Sequence, residues 1–312
     1  MKSEIKAFAS QAGIPAIGFC RPELTEEERA RFRAWLDAGG AAGMASLSRN
    51  IGQRLMETPL LDGQRSVVMC GFPYPTDGER AFVSDYALLD DYHVRVNGKL
   101  GALGALIKKR WPDAVCRAFV DTSPVPEKLL AARAGLGFIG KNSLLIHPQH
   151  GTRLFLGGLL TTLDIMPDAP VTGGCGTCDV CVYACPTAAL SEQGLDARLC
   201  LSYHTIENKG EIPEPARSQI RNKVFGCSAC EQVCPKNSAA GRGEYPEWNR
   251  SHALAEADLQ TLARMCGESF RKHFGHTPVY RTGRKALLRN ITIAVGNTGK
   301  KEYISNDRKV AR

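Results

Sequence analysis

The chain has 312 residues, with 40 Lys or Arg against 32 Asp or Glu, a formal net charge of +8. Its 43% apolar and 23% charged residues are ordinary for a soluble protein, and it holds no run of about 18 apolar residues that would span a membrane. The length predicts about two domains with ample core.

Met1 to Ser10 is polar and charged, which predicts no export signal and a cytoplasmic protein. Twelve cysteines in such a chain point to a reducing compartment where thiolates hold metals. Charge is unevenly spread. From Arg264 to Arg312 there are twelve Lys or Arg against three acids, +9, which leaves −1 for the rest. That asymmetry fits either a polyanion-binding end or a solvated helical face.

Met1 to Phe8 opens as a helix, and Ala12 to Phe19 reads as a turn and a first strand. Thr25 followed by Glu26, Glu27 and Glu28 has the form of a capped helix start, and Gly39-Gly40 its stop. Leu47 to Gly63 is polar, with a helix and Arg49 and Arg54. Ser66 to Gly71 is a buried strand. Asp90-Asp91-Tyr92-His93 precedes a helix from about Val94 to Arg110, in which Val96, Leu100, Leu103 and Ile107 recur three or four apart.

Ala114 to Val120 is a further strand, running into Asp121-Thr122-Ser123-Pro124, and Pro126 to Ala134 is helical. Gly135-x-Gly137-x-x-Gly140 follows a helix rather than a strand, so it lacks the context of a dinucleotide fingerprint. It reads as a tight turn that lets backbone approach a large flat ligand. Ser143 to Ile146 and Arg153 to Leu163 are expected to pair and close the first domain. Alternating strands and helices give an α/β (α+β) class. Asp164 to Gly174 is a linker, Asn237 to Trp248 a loop, and Leu254 onward helical, with a helix over Lys285 to Ala294 before a Gly296-Asn297-Thr298-Gly299 turn.

Cys175 to Pro235 carries the strongest signal. Cys175-x-x-Cys178-x-x-Cys181-x-x-x-Cys185-Pro186 has the ferredoxin spacing, in which the fourth cysteine serves another cluster. Cys200 and then Cys227-x-x-Cys230-x-x-x-Cys234-Pro235 form a stretched second copy. Eight thiolates supply two 4Fe-4S clusters. Crossing gives Cys175, Cys178, Cys181 and Cys234 to one, and Cys185, Cys200, Cys227 and Cys230 to the other. Zinc favours two separated Cys-x-x-Cys pairs, often with histidine, and disulfides need export. Cys20, Cys70, Cys116 and Cys266 stand alone and read as small buried hydrophobes.

A domain of this size ahead of two clusters predicts that electrons go to something bound there. Asp121, at the carboxyl end of an apolar strand, is the catalytic candidate. Burial would raise its pKa and let it donate a proton near neutrality; the competing role is a helix cap.

Several stretches together resemble the epoxyqueuosine reductase family. They are Val120-Asp121-Thr122, Ala131 to Ile146, Cys175 to Pro186, Leu195 to Tyr203, Asn222 to Pro235, Leu288-Arg289-Asn290 and Ala294-Val295-Gly296-Asn297. The resemblance implies a cobalamin-binding catalytic domain over 1–165, similar to reductive dehalogenases. A two-cluster ferredoxin-like module over 166–250 and a basic, HEAT-like helical segment over 251–312 would follow. It puts the proton-donating aspartate on Asp121, the eight cluster ligands on the cysteines above, and Arg54, Tyr92, His93 and Ser202 near the corrinoid. The implied activity is reduction of epoxyqueuosine in a tRNA anticodon stem-loop by a monomer fed by an external low-potential electron donor. The alternatives are a corrinoid reductase of a small organic substrate and an electron-transfer protein.

Overall fold

Two apolar runs, Ser66–Pro73 and Leu154–Thr161, are rich in β-branched and aliphatic residues, and they become the two central strands of the sheet. The computed structural model describes residues 1–76, 82–238 and 248–298. In it β1 (Ala16–Cys20), β2 (Ser66–Pro73), β6 (Leu154–Thr161) and β3 (Cys116–Phe119) lie side by side in that order. Val67 faces Leu160 and Met69 faces Gly158 across the centre. All three pairings are antiparallel, so the expected class takes its α+β form.

Every residue of β2 is buried, because both faces of the sheet are covered. Val68, Cys70 and Phe72 point to one side, against α1 (Lys2–Gln11) and α5 (Tyr92–Arg110). Val67 and Met69 point to the other, against Leu130 and Ala131 of α6 (Glu127–Arg133). The stripe Val96, Leu100, Leu103 and Ile107 is fully buried, as its spacing predicts. α2 (Glu26–Asp37) begins in a capping box, Thr25 Oγ1 accepting from the Glu28 N–H and Glu28 accepting from the Thr25 N–H. The short helices α3 (Ala45–Ser48) and α4 (Ile51–Arg54) follow.

The expected pairing of Ser143–Ile146 with Arg153–Leu163 does not form. β5 (Leu145–Ile146) pairs with β4 (Phe138–Ile139), leaving β6 to join β2 and β3. The glycine-rich turn explains the difference. A Cβ on Gly137 would stand 2.2 Å from the Ile146 carbonyl oxygen, and one on Gly135, at φ +76°, 2.6 Å from that of Ala169. What these two glycines approach closely is the protein's own backbone, not a flat ligand.

The cysteine segment has little regular structure. It holds α7 (Val180–Tyr183), a hairpin of β7 (Leu190–Ser191) and β8 (Gly194–Leu195), a π-helical turn at Tyr203–Glu207, α8 (Ala216–Gln219) and α9 (Ala229–Gln232). Then come α10 (His252–Glu256), α11 (Leu259–Phe274) and α12 (Arg284–Asn297). α12 continues through Gly296 and Asn297, where a turn was expected. These helices share one core with Val83, Ala87 and Leu88 and with Val224 and Phe225. Asn290 is fully buried and donates to the Thr205 and Val224 carbonyls, both at 2.8 Å. Lys300, Lys301, Arg308, Lys309 and Arg312 of the basic tail, and positions 239–247 of the expected loop, lie outside the described residues.

A pair of substitutions separates packing from propensity. Gly137→Ala pushes a methyl into backbone and is expected to cost about 3 kcal/mol, the upper end for overpacking. Gly98→Ala, in the exposed interior of α5 with nothing within 4 Å, is expected to stabilise by about 0.5–1 kcal/mol. Urea midpoints measure both.

Candidate functional site

Asp121 lies two residues past the end of β3, in the left-handed conformation at φ +47°. An aspartate tolerates that region better than most residues, at a cost of about 1–2 kcal/mol. It does not cap α6, whose N-cap is Pro126. Its own N–H donates to Glu127 Oε1 at 2.5 Å instead. Its Oδ2 lies 3.1 Å from His93 Nε2 and accepts from Arg281 Nη1 at 3.2 Å. His93 is fixed from behind: Asp91, the N-cap of α5, takes both the His93 backbone N–H at 3.0 Å and Nδ1 at 2.6 Å. Arg281 Nη1 also touches His93 Nε2. Both are donors when His93 is charged, so the shared carboxylate oxygen is what holds them together.

These contacts decide the protonation states. Burial works to raise Asp121, but the His93 hydrogen bond and the Arg281 charge outweigh it and hold the carboxyl below its ordinary value. The expected raised pKa is therefore corrected, because its argument counted burial and not the two cations. Burial works to lower His93, yet hydrogen bonds to Asp121 and Asp91 bring it up to about 9. The raised carboxyl is Glu127, pushed up to about 8 by burial and then by repulsion from Asp121.

Asp121 keeps 50% of its side-chain accessibility and Lys128 is exposed, yet desolvation is the largest influence on the titration of each. Both side chains are thus open to solvent with protein crowded round them, as in a recess of the surface, the cleft beside β3. Arg54 faces the same place. Burial lowers its pKa, Glu127 and Asp121 are the charges acting on it, and its Nε is buried with no partner. Tyr92 stacks on His93 at 4.1 Å and on Phe155 at 4.3 Å. Phe155 in turn meets Tyr74 at 4.6 Å and Trp248 at 5.0 Å. Tyr74 Oη donates to Glu231 Oε1 at 3.3 Å, so the aromatic wall runs to the neighbour of Cys230. A depression of about 400 Å³ between α5 and β3, lined by Leu100, Gly104, Val115 and Cys116, lies apart from this group.

Of the residues expected near a cofactor, Arg54, Tyr92 and His93 thus gather round Asp121. Ser202 does not join them. Its Oγ donates to the Cys227 carbonyl at 3.3 Å and accepts the Cys227 N–H at 3.0 Å. Glu127 and Arg281 went unread in the sequence. An acid in a first helical turn looks like a dipole partner, and Arg281 stands 160 positions from Asp121.

The eight cysteines fall into two groups. Burial raises the thiols of Cys181 and Cys234, and their charge neighbours are Cys175 and Cys234 for the one, Cys175 and Cys178 for the other. Burial likewise raises Cys227 and takes Cys230 up to about 12, with Cys185 and Cys200 adding to both. The outlying Cys200 is brought to Cys185, Cys227 and Cys230. Four crowded thiols repel one another's ionisation, and cations of a cluster would relieve it. Cys20, Cys70 and Cys266 are buried and Cys116 half-buried, the bland role expected of them.

The chain matches the family model described as "4Fe-4S double cluster binding domain" over residues 174–237. It matches "Epoxyqueuosine reductase QueG, DUF1730" over 54–122. An epoxyqueuosine reductase of Aliivibrio fischeri is 36% identical, covering 97% of this chain and 85% of its own. A crystal structure of epoxyqueuosine reductase with an epoxyqueuosine-modified tRNA-Tyr stem loop superposes with a TM-score of 0.89. It is 28% identical and covers 97% of this chain and 83% of that one. A structure from Bacillus subtilis with its catalytic aspartate loop swung out of the active site gives 0.90, at 26% identity over 98% and 83%.

His93 binds its proton more tightly in the folded chain, about 9, than an ordinary histidine at about 6.5. The stability this contributes is complete below pH 6.5 and is lost as pH rises through about 9. His93→Gln should therefore cost about 1–3 kcal/mol at pH 6 and almost nothing above the folded pKa. Anaerobic urea titrations across that range read the gap.

Proposed function

The chain belongs to the epoxyqueuosine reductase family, and on that premise we propose that it reduces epoxyqueuosine to queuosine at the wobble position of tRNA anticodons, with two 4Fe-4S clusters and cobalamin. The observation that carries this is a double cluster segment joined, in one chain, to the cluster of Asp121, His93 and Arg281.

The reaction removes the epoxide oxygen as water and leaves a carbon–carbon double bond, taking up two electrons and two protons. An epoxide oxygen leaves poorly as an alkoxide, so an acid in hydrogen-bond reach lowers the barrier. Asp121 delivers that proton. It is ionised at rest, and His93, protonated at neutral pH, holds the proton that crosses to Asp121 as charge develops on the oxygen. Asp91 keeps the imidazole aligned.

Arg54, Tyr92 and His93 are the residues that would hold cobalamin. The buried, unpartnered Arg54 Nε fits the polar edge of a broad ring, and Tyr92, stacked between His93 and Phe155, holds His93 in place beside it. When bound, cobalamin supplies a cobalt centre that accepts single electrons and becomes strongly nucleophilic. Cys175, Cys178, Cys181 and Cys234 would ligate one cluster, and Cys185, Cys200, Cys227 and Cys230 the other, with an external low-potential donor feeding them. Ser202 supports the second by fixing Cys227.

In the 251–312 segment, Arg284 and Arg289 bond internal carbonyls. Among the described residues of that segment, the exposed Arg264, Arg271, Lys272 and Lys285 are placed to meet tRNA phosphates. No helix among the described residues is long and apolar enough to cross a membrane. A cytoplasmic monomer is the working form.

The test is anaerobic turnover of tRNA from cells that accumulate epoxyqueuosine, with clusters and cobalamin reconstituted and nucleosides read by mass spectrometry. The expected product has lost one oxygen mass, only when cobalamin is present. An unchanged mass from fully loaded protein refutes the reading. Asp121→Asn should lower kcat by about 10²–10⁴-fold with cofactors retained. Cys200→Ala should drop iron from roughly eight to roughly four per chain, and a full iron complement would remove Cys200 from the ligand set.

A further inference from the structure

Asp121 enters the cleft from residues 120–126, which belong to no strand or helix. The chain bends sharply there. Asp121 is left-handed, and the Thr122 N–H turns back on the Val120 carbonyl at 2.5 Å. The bend takes the Asp121 N–H off the sheet, and it meets Glu127 Oε1 at 2.5 Å. Glu127 is a fixed post. It opens α6, whose Leu130 and Ala131 are fully buried against the sheet.

We propose that Glu127 is a positioning residue: by accepting the Asp121 N–H it latches the 120–126 loop inward, with the Asp121 carboxyl between His93 and Arg281. The proposal rests on the reading of Asp121 as proton donor. A catalytic aspartate loop stands swung out of the active site in the Bacillus subtilis relative, and the proposal gives the 120–126 loop the same freedom. A link between one backbone N–H and one side chain is of the size that sets such a balance.

Two carboxyls so close are unfavourable unless one is neutral. Asp121, His93 and Arg54 are the charges that act on Glu127. His93 and Arg281 are bonded to Asp121 and hold its charge, which leaves Glu127 to carry the proton. A neutral carboxyl still accepts through its carbonyl oxygen, so the latch needs an acceptor and not a charge. Glu127→Gln keeps it, and Glu127→Met keeps the length and packing but removes it.

The experiment compares both variants with the parent, full length and cluster-loaded. Hydrogen–deuterium exchange is followed on the peptide covering Asp121, with a β2 peptide as control, and steady-state turnover is measured alongside. Glu127→Met should exchange about tenfold faster at the loop alone, the population change one hydrogen bond commands. Its kcat should fall by about the same factor while KM holds, because the loop spends less time inward. Glu127→Gln should match the parent in both. Parent-like exchange in Glu127→Met overturns the latch. So does Glu127→Gln behaving like Glu127→Met, which would mean that charge or a proton is what Glu127 supplies. If Asp121→Asn turns over at the parent rate while Glu127→Met still loosens the loop, the acid role fails and the latch stands.

Discussion

One carboxylate oxygen, Oδ2 of Asp121, is met by a histidine from the start of α5 and an arginine from the C-terminal segment. That convergence requires distant parts of the chain to hold fixed positions, and much of the packing serves it. The C-terminal helices do not close a core by themselves. They share one with residues 83–88 and 224–225, and Asn290 fastens α12 to the carbonyls of Thr205 and Val224. Lys209 donates to the Thr282 carbonyl at 2.8 Å, pinning the turn that presents Arg281. Buried polar bonds of this kind define one arrangement, because any slip leaves a donor or acceptor unsatisfied.

The same fastenings relate the thiols to the cleft. Asn237, just past Cys234, takes the Thr152 N–H at 2.8 Å next to β6. Glu231, beside Cys230, takes the Tyr74 hydroxyl at the end of β2. Both central strands of the sheet thus end on the cysteine module. The stack from Tyr74 through Phe155 to Tyr92 then reaches His93. A source of electrons and a source of protons are held by one rigid sheet, which suits a reaction that must deliver both to one bond.

Local patterns were legible in the sequence. The stripe on α5 and the capped start of α2 each encode their outcome within a few residues, and the cysteine spacing marks the double-cluster segment. Asp121 was legible as a residue but not as a charge state. Its neighbours come from 28 and 160 positions away, and burial alone gives the wrong sign for its shift. The strand pairing after the glycine turn failed for a related reason. Nothing local says that Gly137 must admit a carbonyl from Ile146, and that approach decides which strands are left to pair. Arg289 reads as part of a basic surface until its carbonyl partners at His204 and Asn208 are seen.

The charges around the cleft balance in a way that fits its chemistry. His93 is protonated at neutral pH, Asp91 and Asp121 are held ionised, and Glu127, at about 8, carries its proton. The side chains of Arg54, Lys128 and Arg281 add basic groups to the same wall and bias it positive. Each electron delivered there adds negative charge, and a wall already biased the other way lowers the cost of accepting it without moving any group. On the proposed reading the proton follows the charge, since negative charge growing on the substrate oxygen draws it from His93 through Asp121. A polyanionic substrate meets the same bias on approach. Were Glu127 ionised as well, Asp121 would face a second carboxylate, so the raised pKa of Glu127 spares Asp121 that repulsion.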